Sequence, residues 1–196
     1  MKIRLHGTEE RVKTLGPGIR YVVWVQGCLR RCPGCMSPFS QDLSGGYEEE
    51  TDLLAENIVK SGCEGLTISG GEPFLQAEAL VDLIEKIRMK KDMGVIIYTG
   101  NTWEELKASE DKYVQELLVR CDLLVDGAYV EELNDGKNLR GSSNQRAIPL
   151  TPRYEKDAAG YGTEEAKVEI VVHEDKIRLI GVPSRQMLKQ LQSIIE

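Results

Sequence analysis

Three cysteines within eight residues are the densest group of reactive side chains in the sequence. They stand in the run Cys28-Leu-Arg-Arg-Cys32-Pro-Gly-Cys35. Three thiolates at this spacing can converge on one soft metal centre. An iron–sulfur cube normally takes four cysteines, so three leave one iron without a protein ligand and open for chemistry.

The alternative for this run is a structural zinc site or a set of buried free thiols. Structural zinc sites usually combine two Cys-x2-Cys units or add histidine. The sequence has only His6 and His173, and both are far from the cysteine run. The number of available ligands therefore favours the iron–sulfur centre. The remaining cysteines, Cys63 and Cys121, are predicted to be small buried hydrophobic residues.

Three other motifs contain glycine or polar side chains that could contact a ligand. Gly70 and Gly71 let a ligand approach the backbone, and Glu72 adds a carboxylate that could meet an ammonium group. Thr99 and Asp126 offer oxygen atoms to a ribose, an ammonium or a hard cation. Taken singly, the glycine motif is better interpreted as a turn, and each of the other residues as a polar cap on a strand.

Short apolar runs alternate with longer amphipathic ones, which predicts an α/β fold. Strands are expected over 19–26, 65–69, 95–99 and 122–126, and helices over 48–60, 76–91 and 113–120. Continuous apolar strands between helices are typical of a parallel sheet that is covered on both faces. We therefore expect a single-domain, partial (β/α) barrel of the TIM type. Every motif described above follows a predicted strand, at the carboxyl end where such folds build their sites.

The last third of the chain has a different character. Residues 131–166 are rich in Gly, Asn, Ser, Pro and charge and show little periodicity, and so long an irregular stretch is usually functional or mobile. Residues 167–173 and 176–181 then predict two strands joined by a tight turn. Ser184 is the expected N-cap of a final helix. Its apolar stripe would comprise Met187, Leu188, Leu191, Ile194 and Ile195.

Charge and composition narrow the classes of partner. A net charge of −7 over 196 residues gives no bulk attraction for phosphate backbones, so non-specific nucleic-acid binding is not expected. No stretch is long and apolar enough to span a bilayer, and residues 1–8 lack the apolar core of a signal peptide. We expect a cytoplasmic protein without a membrane partner. In a reducing compartment, clustered cysteines indicate metal binding or catalysis.

The combination of motifs resembles the radical S-adenosylmethionine superfamily, whose signature is Cys-x3-Cys-x2-Cys followed by Gly-Gly-Glu-Pro. The runs Gly16-Pro-Gly-Ile-Arg20 and Gln26-Gly-Cys28 are typical of the activating enzymes of glycyl-radical enzymes. Two further runs are similar to the activating proteins of anaerobic ribonucleotide reductase, and they are Asp122–Gly127 and Arg140–Arg146. The resemblance covers roughly residues 16–146, in the order of the family.

The resemblance implies a cofactor set and a ligand for each motif. A [4Fe-4S] cluster would be held by Cys28, Cys32 and Cys35. Its unique iron would be chelated by the amino and carboxylate groups of S-adenosylmethionine. The methionyl ammonium would be received by Gly70, Gly71 and Glu72. The methionyl carboxylate or a bound monovalent cation would lie near Thr99 and Asp126.

The resemblance also implies a reaction and partners. One-electron reduction of the cluster would cleave S-adenosylmethionine into methionine and a 5′-deoxyadenosyl radical. This radical would remove a hydrogen atom from a glycine of a partner enzyme of the ribonucleotide reductase or pyruvate formate-lyase type. Flavodoxin or ferredoxin would be the reductant. Two alternatives stay open at this point, a radical enzyme that acts on a small molecule and a non-catalytic iron–sulfur electron carrier.

The sequence departs from the wider superfamily in two places. Many members of the superfamily carry an aromatic residue just before the third cysteine. This sequence has Gly34 there, as the ribonucleotide reductase branch does, and the adenine contact is therefore left unassigned. The chain also continues about fifty residues beyond Arg146. We divide it into a radical S-adenosylmethionine core over 1–150 and a C-terminal extension of the same domain over 151–196, a strand hairpin plus helix.

The segment 139–149, with the irregular stretch up to 166, is predicted to form part of the surface that receives the glycyl loop of the partner. It carries arginines on an otherwise acidic chain. Arg140 and Arg146 could bind the partner's backbone or an anion, or could cap the loop, and both interpretations stay open.

Overall fold

The computed structural model describes residues 1–174, 177–188 and 190. The strands are β1 (Lys2–Val12), β2 (Arg20–Val25), β3 (Tyr47–Glu50), β4 (Gly65–Gly70), β5 (Gly94–Tyr98), β6 (Leu123–Asp126), β7 (Arg146–Pro149), β8 (Val168–Val172) and β9 (Ile177–Gly181). The α-helices are α1 (Thr51–Lys60), α2 (Ala77–Arg88), α3 (Trp103–Lys107), α4 (Lys112–Arg120) and α5 (Glu155–Ala158).

The described strands form a main sheet in the order β3-β1-β2-β4-β5-β6-β7 and a separate β8-β9 hairpin. The four central strands, β2, β4, β5 and β6, are parallel, and β1, β3 and β7 add to the edges in antiparallel orientation. The central strands are apolar on both faces because both faces are covered. The row of strands is open, so the expected α/β class and partial barrel are confirmed.

Helices cover the outer face of the sheet. The predicted stripe of α2 is fully buried there, and it consists of Leu80, Leu83, Ile84 and Ile87. The helix packs between α1 and α4. Its apolar spacing of three and four residues places these side chains on one face. The amphipathic pattern therefore predicted both the helix and the face that it buries.

Two later segments cover the inner face. Tyr154 and Tyr161 pack against side chains of β5 and β6. Ile180 of β9 packs against Val12 and Val22. Alternate residues of each strand point to opposite faces. The inner face is therefore completed by parts of the chain that follow the parallel strands.

A buried arginine lies at the amino end of the parallel strands. The guanidinium of Arg20 is fully buried and donates to the Tyr154 hydroxyl at 2.6 Å, to Thr67 Oγ1 at 3.0 Å and to the Gly94 carbonyl at 3.1 Å. Buried polar groups need such partners because an unsatisfied one costs free energy. Arg20 therefore ties β2, β4 and β5 to the segment after β7.

The structure corrects two sequence predictions. Residues 48–50, expected to start a helix, extend β3 against β1, and the helix begins at Thr51. The stretch 131–166, expected to be irregular, contains β7, which pairs with β6 through register partners such as Asp126 and Arg146. Strand β1 was not predicted. Within the described part of the chain, no helix could cross a membrane.

The predicted hairpin is present, with β8 and β9 antiparallel. Residues 185–188 are helical, and the Met187 amide donates to Ser184 Oγ at 3.1 Å, as expected of an N-cap. The rest of the predicted stripe of this helix, Leu191, Ile194 and Ile195, lies outside the described residues.

Candidate active site

A cavity of about 410 Å³ opens at the carboxyl ends of the parallel strands. The predicted site residues that line it are Cys28, Cys32, Cys35, Gly70, Gly71, Glu72 and Thr99. They come from three separate sequence motifs, and the parallel topology brings them to one edge of the sheet. The other predicted residues, Asp126, Arg140 and Arg146, lie behind the wall, where their neighbours Gly127, Gly141 and Gln145 reach the cavity.

The loop that carries the cysteines is fixed by Gln26. This side chain is buried, and its Nε2 donates to the carbonyls of Phe39 at 2.9 Å and Asp42 at 2.7 Å. Gly27, with φ of +100°, turns the chain out of β2 and donates its amide to Ser40 at 2.7 Å. Sequence reasoning had noted Gln26 only as part of a motif. The structure shows that it closes the loop onto the end of β2.

The three thiols of this loop are half-buried and share the cavity wall. Burial, followed by the neighbouring thiol of Cys35, raises the pKa of Cys32. No three His, Cys, Asp or Glu side chains among the described residues are arranged to hold a single metal ion. A cube does not require such convergence, because each cysteine binds a different iron. The donor set therefore fits an iron–sulfur cluster with one open position.

The glycine pair at the end of β4 is required by close packing of two strand exits. A Cβ on Gly70, where φ is +99°, would lie 2.6 Å from the Val25 carbonyl oxygen. A Cβ on Gly71 would collide with the Gly27 carbonyl. The amide of Gly71 donates to Val25 and that of Glu72 to Gly27, both at 2.8 Å. These bonds hold the glycine backbone beside the cysteine loop.

The carboxylate of Glu72 is buried and accepts three hydrogen bonds. The donors are the hydroxyl of Thr99 at 2.8 Å, the amide of Gly100 at 2.9 Å and the amide of Phe74 at 3.1 Å. Burial is the largest effect on this group and raises its pKa, although the hydrogen bonds oppose the shift. Glu72 thus connects the exit of β4 to that of β5.

Thr99 has no unused hydrogen-bonding capacity. Its hydroxyl donates to Glu72 and accepts from the backbone amide of Asn101 at 3.0 Å and from its side-chain Nδ2 at 3.1 Å. A hydroxyl has one donor and two lone pairs. Arg30 of the cysteine loop also reaches this turn, where its Nη2 donates to Asn101 Oδ1 at 2.7 Å and to Glu105 Oε2 at 2.9 Å. The turn therefore links the cysteine loop to α3.

Asp126 is charge-compensated inside the protein. Its side chain is 1% exposed. Oδ1 accepts from Nε of Arg146 at 3.0 Å, and Oδ2 accepts from Nη2 of Arg146 at 2.5 Å and from the Trp103 amide at 2.7 Å. Arg146 also donates to both carboxylate oxygens of Glu104. The two carboxylates raise the pKa of Arg146.

The loop before β7 is tied to the exit of β6. Gln145, which sequence reasoning did not single out, accepts from the Gly141 amide at 2.7 Å and donates to the Gly127 carbonyl at 2.8 Å. Arg140 pairs with Asp135 at 2.7 Å. Both predicted arginines, Arg140 and Arg146, are therefore engaged within the chain, which favours loop capping.

The two remaining cysteines lie away from the cavity. Cys63 and Cys121 are fully buried in the core beneath the helices. Burial raises the pKa of the Cys121 thiol well above its usual range. The prediction that both behave as buried hydrophobic residues is confirmed.

Comparison with known proteins agrees with this site. The family model described as a 4Fe-4S single cluster domain matches residues 14–148. An anaerobic ribonucleoside-triphosphate reductase-activating protein of Vibrio cholerae is 34% identical over 139 residues, which are 66% of this chain and 87% of that protein. The protein of the same name from Enterobacteria phage T4 is 31% identical, over 67% of this chain and 84% of its own length.

A second kind of relative has the same general role. Pyruvate formate-lyase 1-activating enzyme of Escherichia coli is 33% identical over 153 residues, which are 74% of this chain and 59% of that enzyme. Among solved structures, QueE from Escherichia coli overlaps with 52% of the chain at 16% identity and a TM-score of 0.44. The family match spans well over half of the sequence and includes every motif of the cavity. The chain therefore belongs to the radical S-adenosylmethionine family of glycyl-radical enzyme-activating proteins, which use a [4Fe-4S] cluster and S-adenosylmethionine.

Proposed function

We propose that this protein activates an anaerobic ribonucleoside-triphosphate reductase by installing a radical on a glycine of that enzyme. The observation that carries the proposal is the share of a relative's length that aligns with this chain. The alignment accounts for 87% of the Vibrio cholerae activating protein, so nearly the whole of that relative has a counterpart here. The run Arg140–Arg146 also supports the choice, because it resembles the corresponding run of this branch. In the structure, its hydrogen bonds fasten the cavity wall.

We assign the cluster to Cys28, Cys32 and Cys35. When bound, the cluster supplies the electron that cleaves S-adenosylmethionine into methionine and a 5′-deoxyadenosyl radical. The protein contributes orientation and exclusion of water. Gln26 supports this assignment because it holds the loop of the three thiols rigidly against the sheet. The reductant is proposed to be flavodoxin or ferredoxin, as the resemblance implies.

The backbone of Gly70 and Gly71 is assigned to the methionyl ammonium of the cofactor. Carbonyl oxygens are suitable acceptors for an ammonium group, and the absence of side chains permits a close approach. Glu72 is assigned to the same subsite. Its bonds to Thr99 and Gly100 support a positioning role, in which the carboxylate sets the shape of the pocket from behind the glycines.

A monovalent cation does not fit beside Thr99 and Asp126. The hydroxyl of Thr99 is saturated, and both oxygens of Asp126 accept hydrogen bonds from Arg146 or Trp103. A cation needs free oxygen ligands. The guanidinium of Arg146 already supplies the positive charge, and we assign no role to a bound alkali ion.

The test is anaerobic reconstitution with iron and sulfide, followed by reduction and addition of S-adenosylmethionine. We expect 5′-deoxyadenosine, and a glycyl-radical signal by electron paramagnetic resonance when the reductase of the same organism is present. Cys28→Ala, with Cys63→Ala as the matched control, separates cluster chemistry from general damage. A cluster-loaded protein that produces 5′-deoxyadenosine but no glycyl radical on the reductase would contradict the choice of partner.

A pyruvate formate-lyase-type partner is the second candidate. It is favoured by one observation, since the Escherichia coli enzyme that activates pyruvate formate-lyase aligns with 74% of this chain, more than the 66% aligned with the Vibrio cholerae protein. The same assay distinguishes the two. A glycyl radical on pyruvate formate-lyase, and none on the reductase, would establish the second candidate.

A further inference from the structure

The outer face of the β8–β9 hairpin is apolar and exposed. Ile170, Val172, Ile177 and Leu179 are exposed to 59%, 71%, 73% and 37%. Ile170 pairs with Leu179, and Val172 pairs with Ile177, across the two strands. Side chains of directly opposed residues touch on one face of a sheet. The four residues therefore form one contiguous surface, which we call the hairpin patch.

The opposite face of the hairpin is firmly attached to β1 and β2. Arg178 donates to the Thr8 carbonyl at 2.6 Å and to Glu9 at 2.9 Å, and its guanidinium lies over the Trp24 ring. The carboxylate of Glu169 accepts from the Lys13 amide at 2.8 Å. A one-residue slip would break all of these contacts, so the register is well specified. These contacts fix the register, and the register places the four apolar residues of the hairpin patch on the exposed face.

The hairpin patch is continuous with the active-site cavity. Leu179 belongs to the patch and also lines the cavity, together with residues 180–182. On the cysteine loop, Phe39 lines the same cavity and is 83% exposed. The cavity is therefore lined by an exposed apolar residue of the cysteine loop, Phe39, and by one of the hairpin patch, Leu179. A polypeptide that reaches the cavity past Leu179 would also lie next to the rest of the patch, because Leu179 pairs with Ile170.

We propose that the hairpin patch is the surface on which the glycyl-radical partner places the apolar polypeptide next to its glycine. The inference rests on the proposed function, because only a macromolecular substrate needs a surface outside the cavity. Exposed apolar patches of this kind mark protein interaction sites. The patch lies within 168–181, beyond the segment 14–148 that matches the family.

The test replaces three patch residues, in the variant Ile170→Thr, Val172→Thr, Ile177→Thr. Threonine keeps the strand preference of β-branched residues. Leu179 is left unchanged because it lines the cavity. The control removes exposed apolar groups from the helices, in the variant Leu53→Gln, Met89→Gln, Val119→Thr. We measure affinity for the reductase, glycyl-radical yield and the rate of 5′-deoxyadenosine formation without partner.

The patch variant should bind the reductase at least about tenfold more weakly, because apolar surface is lost from the contact. Its glycyl-radical yield should fall at limiting reductase, with 5′-deoxyadenosine formation at the wild-type rate. The helix control should match wild type in all three measurements. If wild type binds and activates the reductase and the patch variant does so equally well, the proposal is wrong.

Other occupants of the patch give distinct results. A wild-type dimer that the patch variant converts to monomer, with unchanged partner affinity, would assign the patch to a second copy. A melting temperature lower than that of the helix control, again with unchanged affinity, would assign it to this chain's own residues. A wild-type protein that neither binds nor activates any glycyl-radical enzyme would refute the proposed function, and the patch would lose its occupant with it.

Discussion

Replacing Arg146 with Met removes a guanidinium while keeping most of the aliphatic stem. Asp126 would then retain only the Trp103 amide as a donor among the hydrogen bonds described above. Its carboxylate is 1% exposed, so water cannot readily replace the lost partner. Arg146→Met therefore leaves a buried charge without its counter-charge.

The expected loss of stability follows from the burial of the two partners. Breaking a fully buried ion pair costs roughly 3–5 kcal/mol. The side chain of Arg146 is 49% exposed, so solvent screening reduces the expected loss to about 2 kcal/mol. For a chain of this size, about 2 kcal/mol corresponds to a decrease of roughly 4–8 °C in melting temperature. The exposed pair with Glu104 adds little.

The assay is thermal and urea unfolding of the apoprotein, which keeps cluster content out of the measurement. Asp126→Asn serves as the matched background, because an amide there removes the charge that Arg146 compensates. In that background, Arg146→Met should cost less than half as much. The coupling free energy of the two changes isolates the pair.

Replacing choline chloride with potassium chloride at constant ionic strength tests whether the guanidinium of Arg146 takes the place of a cation beside Asp126. Wild type should show no change, and Arg146→Met should be stabilised by potassium if the ion enters the space beside Asp126. Two results would refute the reasoning. One is a cost below about 0.5 kcal/mol for Arg146→Met, the usual range for surface changes. The other is a wild-type melting temperature that depends on potassium.

Further substitutions test the remaining parts of the site. Alanine at any of Cys28, Cys32 or Cys35 should abolish cluster retention, measured as iron per chain, whereas Cys63→Ala should retain wild-type iron; iron loss in that control would contradict the ligand assignment. Glu72→Ala should weaken S-adenosylmethionine binding by roughly ten- to a hundredfold in equilibrium titration; unchanged affinity with a large loss of stability would instead indicate a structural turn. Burial raises the pKa of Glu72 above its unfolded value of about 4.3. Its contribution to stability is therefore complete below that pH and declines as the pH rises through the folded pKa. Urea unfolding between pH 4 and 7 should show a smaller decline for Glu72→Gln, and an identical slope would show that Glu72 does not titrate in this way. Gln26→Leu should destabilise the cysteine loop by about 1–3 kcal/mol, because two carbonyls lose their donor; wild-type stability would refute the clamp.

The parallel strands and the motifs that follow them could be read directly from the sequence. A strand buried on both faces is a continuous apolar run, and each run ends in glycine or a polar residue that marks the exit. Strand β1 has no continuous apolar run, because only Ile3, Leu5 and Val12 of its eleven residues are large and apolar, and it pairs in antiparallel orientation. Strand β7 is four residues long, contains Pro149 and lies at the sheet edge. Short edge strands form through pairing, which local sequence does not show.

The hydrogen-bond partners within the site could not be predicted. Arg146 stands twenty positions from Asp126, and only the pairing of β7 with β6 places them together. The sequence therefore left partner binding and loop capping open for this arginine. In the same way, nothing local to residues 177–181 indicates that the hairpin reaches the cavity wall. Such contacts depend on tertiary packing, which carries no signal in residue spacing.

The bond between Arg20 and Tyr154 has a consequence for the order in which the chain can fold. A ribosome releases Arg20 early, together with the strand that it begins, but Tyr154 emerges more than a hundred residues later. Until then the guanidinium lacks the hydroxyl that completes its set of acceptors, and the inner face of β5 and β6 lacks the aromatic rings that cover it. A nascent chain that ends before residue 154 therefore cannot complete these contacts. Closure of the native core is a late event, and it waits for residues that follow the cofactor-binding motifs.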